Sequence, residues 1–211
     1  MSLPAGDAEL VQIVDAALAD AARRAGPWLV CRPGCTQCCH GAFAINELDA
    51  QRLHAGMTAL QATDPHTAEA VKARAQSWLQ EFGPAFPGDP ATGILGTSEP
   101  DQARFEDFAN DAPCPALDPE TGLCAVYAWR PMTCRVFGPP VPMEADGDDA
   151  LACCELCFVG ASEAEIAACA MAVPHEHEAR LIQQIVQQTG VLDQTVVAFA
   201  LLRSLGAPAP G

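Results

Sequence analysis

The chain has 211 residues, 50% of them hydrophobic and 18% charged, with Lys+Arg 11 against Asp+Glu 27 and a formal net charge of −16. That length suffices for one domain with a core of its own, and the apolar content excludes a disordered chain. So acidic a surface repels phosphate backbones, which excludes nucleic-acid binding driven by charge.

In chain order the apolar pattern is helical. Asp7 is placed to cap a first helix running to Ala25, with Leu10, Val14, Leu18 and Ala21 near one face and Gly26-Pro27 ending it. This opening segment has no basic n-region and no continuous apolar run, and no later stretch reaches the length of a membrane span. The chain therefore reads as cytoplasmic, without membrane contact. Asn46 can cap a second helix with Leu53, Met57 and Leu60 inward, although Gly56 weakens it. Asp64-Pro65 opens a third, and Val71, Ala75, Trp78 and Phe82 then form an amphipathic stripe. Residues 83–100 are dense in Pro and Gly and predict a surface loop. The acidic stretch 144–149 predicts a second, solvated one.

Ser162 and Glu165 form a capping box for a short helix ending before Pro174. A helix over 176–189 turns Leu181 and Ile185 inward and stops at Gly190. A last helix over 192–205 contains the apolar run 196–202 and should be the most buried. The expected fold is mainly α. It is a single domain, 1–211, of about six helices with irregular cysteine-rich loops around a metal or iron–sulfur site. The cysteine region covers 31–157 with a helical insertion at 46–110, and the C-terminal helices cover 162–205.

Eleven cysteines stand out in a chain that needs no staples. Ten fall in three groups: Cys31, Cys35, Cys38 and Cys39; then Cys114, Cys124 and Cys134; then Cys153, Cys154 and Cys157. Their neighbours are Pro, Gly, Arg and Gln, unlike those of buried core cysteines. In a reducing compartment, clustered cysteines bind metal or do redox chemistry more often than they form disulfides. A C-x2-C turn supplies two thiolates, and structural zinc or an iron–sulfur cluster needs four, so distant groups must meet. Adjacent cysteines such as Cys38-Cys39 point apart, so the doublets imply two metals, one polynuclear cluster, or a ligand beside a spare thiol. Cys169 lies on a helical face and reads as core.

The strings Cys35-Thr-Gln-Cys38-Cys39-His40-Gly41 and Cys124-Ala-Val-Tyr127-Ala-Trp-Arg130-Pro131-Met-Thr-Cys134-Arg135 resemble the CxxCxxCC family, the YkgJ-type cysteine-cluster proteins described as zinc- or iron-chelating. Three residues stand between Cys31 and Cys35 where that family has two. The resemblance covers 31–157, and the stretch 45–110 carries no recognised motif. It implies chelation of zinc or of an iron–sulfur cluster, 4Fe–4S in preference to 2Fe–2S, by the ten clustered cysteines. The implied role is structural, metal-handling or electron-transferring. Flagellin lysine methylases carry similar motifs with an iron–sulfur cluster, which gives the alternative of a redox or methylase-like enzyme. A helical interaction protein is a further alternative. No catalytic residue is assigned, and the reading leans away from an enzyme.

Tyr127, Arg130 and Arg135 could surround a thiolate centre and offset its charge, or serve in surface pairing and core packing. His40 reads as solvated, and so do His175 and His177, because H-E-x-x-H would need histidine where Ala179 stands.

Overall fold

Side-chain caps start the helices where local chemistry dictates. In the computed structural model, which describes residues 3–145, 148–190 and 192–203, Asn46 accepts from Asp49 N–H and opens α2, Glu47–Thr63. Asp64 accepts from Thr67 N–H and Pro65 takes the first position of α3, Pro65–Phe82. Ser162 and Glu165 make both bonds of the capping box on α6, Glu163–Ala168. α1, Asp7–Ala25, departs from expectation: Gly6 holds the cap position in the left-handed region, and Asp7 is its buried first helical residue. The carboxylate contributes to the helix dipole there rather than capping.

The described residues form two compact units. The first holds Cys39–Pro131 and the chain from Ile182 onward. Its core joins α2 and α3 to α8, Val197–Leu202, through Ile45, Leu53, Met57, Val71, Ala200 and Leu201. Gly56 is required in α2: a Cβ there would lie 2.8 Å from Trp129 Cβ. An aromatic cluster adds to this core, with Trp78 edge-on to Phe108 at 5.8 Å between centroids. Residues 83–100 contribute to it and are not a plain surface loop. Phe86 and Leu95 are buried, β1 (Gly88–Asp89) pairs antiparallel with β2 (Ile94–Leu95), and α4 begins at Glu99 and ends at Glu106. The burial of two apolar side chains outweighs the Pro and Gly signal.

α8 starts at Val197, not at 192. Thr195 instead pairs with Ile45, exchanging backbone bonds of 2.8 and 3.0 Å, and the β-branched Thr195-Val196 suits that extended form. The expected end at 205 lies outside the described residues.

The second unit holds Pro4–Cys38 and Met132–Leu181. It contains α1, α5 (Met132–Val136), the hairpin of β3 (Val141–Ala145) and β4 (Asp148–Ala152), α6, and the start of α7 (His175–Thr189). Buried Arg135 of α5 donates to both carboxylate oxygens of Asp15 on α1, at 2.9 and 3.1 Å. Arg24 donates to the carbonyls of Ala168, the last residue of α6, and Ala170 just after it. The unit buries Leu10, Val14, Ala21, Met171 and Leu181, and a separate buried cluster gathers Ala25, Cys154, Cys157, Phe158 and Cys169, with Trp28 and Leu29 against it. Of the acidic stretch, 144–145 and 148–149 belong to the paired strands rather than to a loop; residues 146–147 and the side chains of 144–149 lie outside the described residues.

The molecule is mainly helical, with α4 and α5 added to the helices expected from the sequence. No described helix is long and apolar enough to cross a membrane.

Candidate metal centre

In the second unit the chain leaves α1 at Gly26 and passes through a helical turn over Gly26–Trp28, which puts Cys31 and Cys35 on irregular backbone. Cys35 N–H donates to the Arg32 carbonyl at 3.0 Å, which folds the loop back. Cys154 to Cys157 forms a second turn, closed by Cys157 N–H on the Cys154 carbonyl at 2.9 Å. Two ties join the two loops: Phe158 N–H donates to the Trp28 carbonyl at 2.9 Å, and Gln37 donates to the Glu155 carboxylate at 2.6 Å. Cys154 N–H also donates to the carbonyl of Gly138, just after α5, at 3.2 Å. Gly138, with φ +126°, also makes room for Cys31: a Cβ at 138 would sit 3.0 Å from Cys31 Sγ.

These ties gather Cys31, Cys35, Cys154 and Cys157. The thiols of Cys31 and Cys154 each hydrogen-bond Cys157, in the sense that holds their protons in place. Cys31 as a residue is exposed, yet its sulfur lies against Gly138, and its pKa is pushed up to about 12 by desolvation first, then by the charge of Cys157 and the hydrogen bond to it, and then by Cys154 and Cys35. The Cys154 thiol is pushed up by desolvation, opposed by the Leu156 N–H on its sulfur and reinforced by Cys157 and Cys35. Cys153 is exposed and also raised, by desolvation and then by Cys157. Each thiol resists ionising first because it is desolvated and then because its neighbours would ionise beside it. A bound cation removes that conflict, since coordinated thiols are deprotonated outright.

The first unit brings together a different set. Cys114 N–H donates to the Cys39 carbonyl at 2.7 Å, in a short ladder whose bridge pairs His40 with Pro113. A second bridge pairs Leu117 with Cys124. Burial pushes the Cys114 thiol up to about 11; the backbone N–H groups of Ala116 and Leu117 and the nearby Arg74 oppose that rise, while Cys124 adds to it.

Thus the doublet divides, with Cys38 ending one stretch of the second unit and Cys39 beginning the longest stretch of the first. Cys134 is half-buried on α5 in the second unit. Cys169 is buried, as expected of a core residue, but within the cluster that holds Cys154 and Cys157. Among the described residues no three His, Cys, Asp or Glu side chains stand ready in coordination geometry.

Arg130 lies 3.9 Å above the Tyr127 ring and donates to the Tyr127 carbonyl, and Tyr127 is exposed rather than core. Arg135 pairs with Asp15. His40 is exposed. Sequence reasoning missed Gly138, whose place four residues after Cys134 was the available signal, and Arg74, which carried none.

A family model, CxxCxxCC, with the description "Putative zinc- or iron-chelating domain", matches residues 30–158, more than half of the chain. No curated protein and no solved structure matches.

Proposed function

From the CxxCxxCC family, to which this chain belongs, we propose a metal-binding protein whose second unit chelates a single zinc or iron ion through Cys31, Cys35, Cys154 and Cys157. The observation that carries this is the mutual contact of the thiols: Cys157 hydrogen-bonds both Cys31 and Cys154, and Cys35 lies close enough for its charge to act on them. Tetrahedral thiolate coordination at about 2.3 Å puts ligand sulfurs about 3.7 Å apart, within thiol hydrogen-bonding reach. A polynuclear cluster would interpose iron and sulfide and spread the thiolates further. The donor set therefore fits a mononuclear ion better than the 4Fe–4S cluster, which is the second reading. Four protein thiolates close a tetrahedron, and closed sites are structural. The Leu156 N–H on the Cys154 sulfur would support the thiolate, and the Gln37–Glu155 bond would hold the two loops in place. The family's chelating character favours metal holding over turnover.

Metal analysis of the reduced, anaerobically purified chain, together with its visible spectrum, tests this. The expected result is a zinc- or iron-loaded protein without the broad band near ~400 nm of an iron–sulfur cluster, and loss of that metal in Cys31→Ser/Cys157→Ser. A protein that retains all its metal in this variant overturns the ligand set, and a brown protein with iron and sulfide favours the cluster.

A further inference from the structure

We propose that Cys157 is a redox hub: it forms either of two mutually exclusive disulfides, with Cys31 or with Cys154, by exchange with a small-molecule disulfide of the glutathione class. The disulfides themselves require no metal. Their consequence for metal release rests on the centre proposed above, because the same sulfurs serve both.

Three observations meet here. First, the thiol contacts are pairwise and share one sulfur. Cys157 hydrogen-bonds Cys31 on one side and Cys154 on the other, while no three ligating side chains among the described residues stand in coordination geometry. A disulfide needs only a pair of sulfurs in contact. All the cysteines are free thiols, so both pairs stand in their reduced form.

Second, the backbone holds both partners within bridging reach. Cys157 N–H bonds the Cys154 carbonyl at 2.9 Å, and a turn closed in this way brings its end α-carbons within about 7 Å, the span of a disulfide. Toward Cys31, Phe158 N–H bonds the Trp28 carbonyl and Gly138 seats the Cys31 sulfur. Phe158 has φ +58°, a left-handed conformation that a bulky side chain adopts only when its surroundings impose it. Its ring is buried with Cys154 and Cys157, and its N–H is tied to Trp28. Cys157 is thereby kept from turning away from either partner.

Third, accessibility sets the order of events. Cys31 is exposed, whereas Cys154 and Cys157 are buried. An external disulfide, RSSR, therefore meets Cys31 first. The Cys31 thiol gives its proton to water, its sulfur attacks RSSR, and one RS⁻ leaves and is protonated. Cys157 then loses its proton and attacks the Cys31 sulfur of the mixed disulfide, expelling the second RS⁻, which is protonated in turn. The contact between the two cysteines gives this internal step a high effective concentration, so the mixed disulfide does not persist. Two cysteine sulfurs are oxidised, and RSSR is reduced to two RSH. Cys154 next attacks the Cys157 sulfur: the Cys31–Cys157 bond breaks, the Cys154–Cys157 bond forms, and the proton of Cys154 ends on Cys31. That step is exchange without net oxidation. Either disulfide withdraws two of the four proposed metal ligands.

The test incubates the reduced, metal-free full chain with one equivalent of glutathione disulfide until equilibrium, quenches with acid and maps the links by peptide mass spectrometry. The expected result is a loss of two hydrogen masses per chain, with Cys157 linked to Cys31 in some molecules and to Cys154 in others. Links that omit Cys157, links that join it to only one of these partners, a product that stops at the mixed disulfide, or a chain that keeps every thiol overturn the proposal. The natural chain decides, so no variant has to fold. Zinc retained before and after oxidation separates this inference from the metal centre. It should fall at least about tenfold on oxidation and return on reduction. A chain that forms both links but never holds metal overturns the centre and leaves the hub; one that holds metal through these cysteines yet forms neither link overturns the hub alone.

Discussion

The two units bury different things. The first is organised by apolar side chains from α2, α3 and α8 and by a Trp–Phe cluster. The second also buries Leu10, Val14, Met171 and Leu181, but in one of its buried clusters three of the five members are cysteines, Cys154, Cys157 and Cys169. Arginine bridges and backbone ties between loops supply the rest. A core of large apolar groups holds without help, whereas one made of protonatable thiols changes with whatever binds them. The cysteine cluster of the second unit should therefore depend on metal for its stability, and the apolar core of the first should not.

Metal removal separates them most. Structural thiolate sites contribute on the order of 10 kcal/mol to folding in small domains. Chelation should raise hydrogen exchange at 154–158 and 29–35 by at least about a hundredfold and leave the buried turns of α2 and α3 nearly unchanged. Equal loss of protection in both units would break the comparison.

The next largest effect belongs to the first unit. Arg52 and Asp49 form a fully buried ion pair at 2.6 Å on α2. Removing one partner of such a pair costs about 3–5 kcal/mol because the other charge stays buried. Arg52→Ala should lower the denaturation midpoint of the helical unit and leave metal stoichiometry as it was. A smaller loss, about 1–3 kcal/mol, is expected for Gly56→Ala, which forces a methyl against Trp129. Thermal unfolding measures both.

The smallest effects are those of pH, and they run in opposite directions. Asp64, Asp89, Asp101 and Asp118 of the first unit are held below their ordinary 3.8, chiefly by Thr67, by Ala91 N–H, by Ser98, and by the Thr121 and Glu120 N–H groups respectively. Their contribution is full above the ordinary carboxylate range and disappears as pH falls through the lowered values. The thiols of Cys31 and Cys154 are raised above 9.0. What they contribute to the metal-free fold is full below pH 9 and disappears as pH rises through the raised values. Acid should thus loosen the first unit's helix starts and turns, and alkali the metal-free second unit. Metal should abolish the alkaline effect, because it binds with proton release. Circular dichroism against pH, with and without metal, tests both.

What the sequence discloses is mostly local. Asn46, Asp64-Pro65 and the Ser162–Glu165 pair announce their helices because a cap and its amide are three residues apart. The extended form at Thr195 was hidden because its partner is Ile45, far away in sequence. Phe86 and Leu95 looked like loop residues because Pro and Gly around them signal turns, while their burial depends on Trp78 and Phe108. The cysteines announced a chelating protein, but their division did not show. Cys38 and Cys39 are adjacent in sequence, and only the folded backbone assigns them to different units. Arg74 lies on a helix without a motif, and its nearness to Cys114 comes from packing alone.

Gly138 explains why an irregular spacing can be tolerated. Its carbonyl anchors Cys154, and its bare α-carbon leaves a seat for the Cys31 sulfur. Cys31 thus takes its address from a residue more than a hundred positions downstream rather than from Cys35. The extra residue between those two cysteines is slack in a tether whose end is already moored, so the loop's length can vary while the sulfur's destination stays fixed.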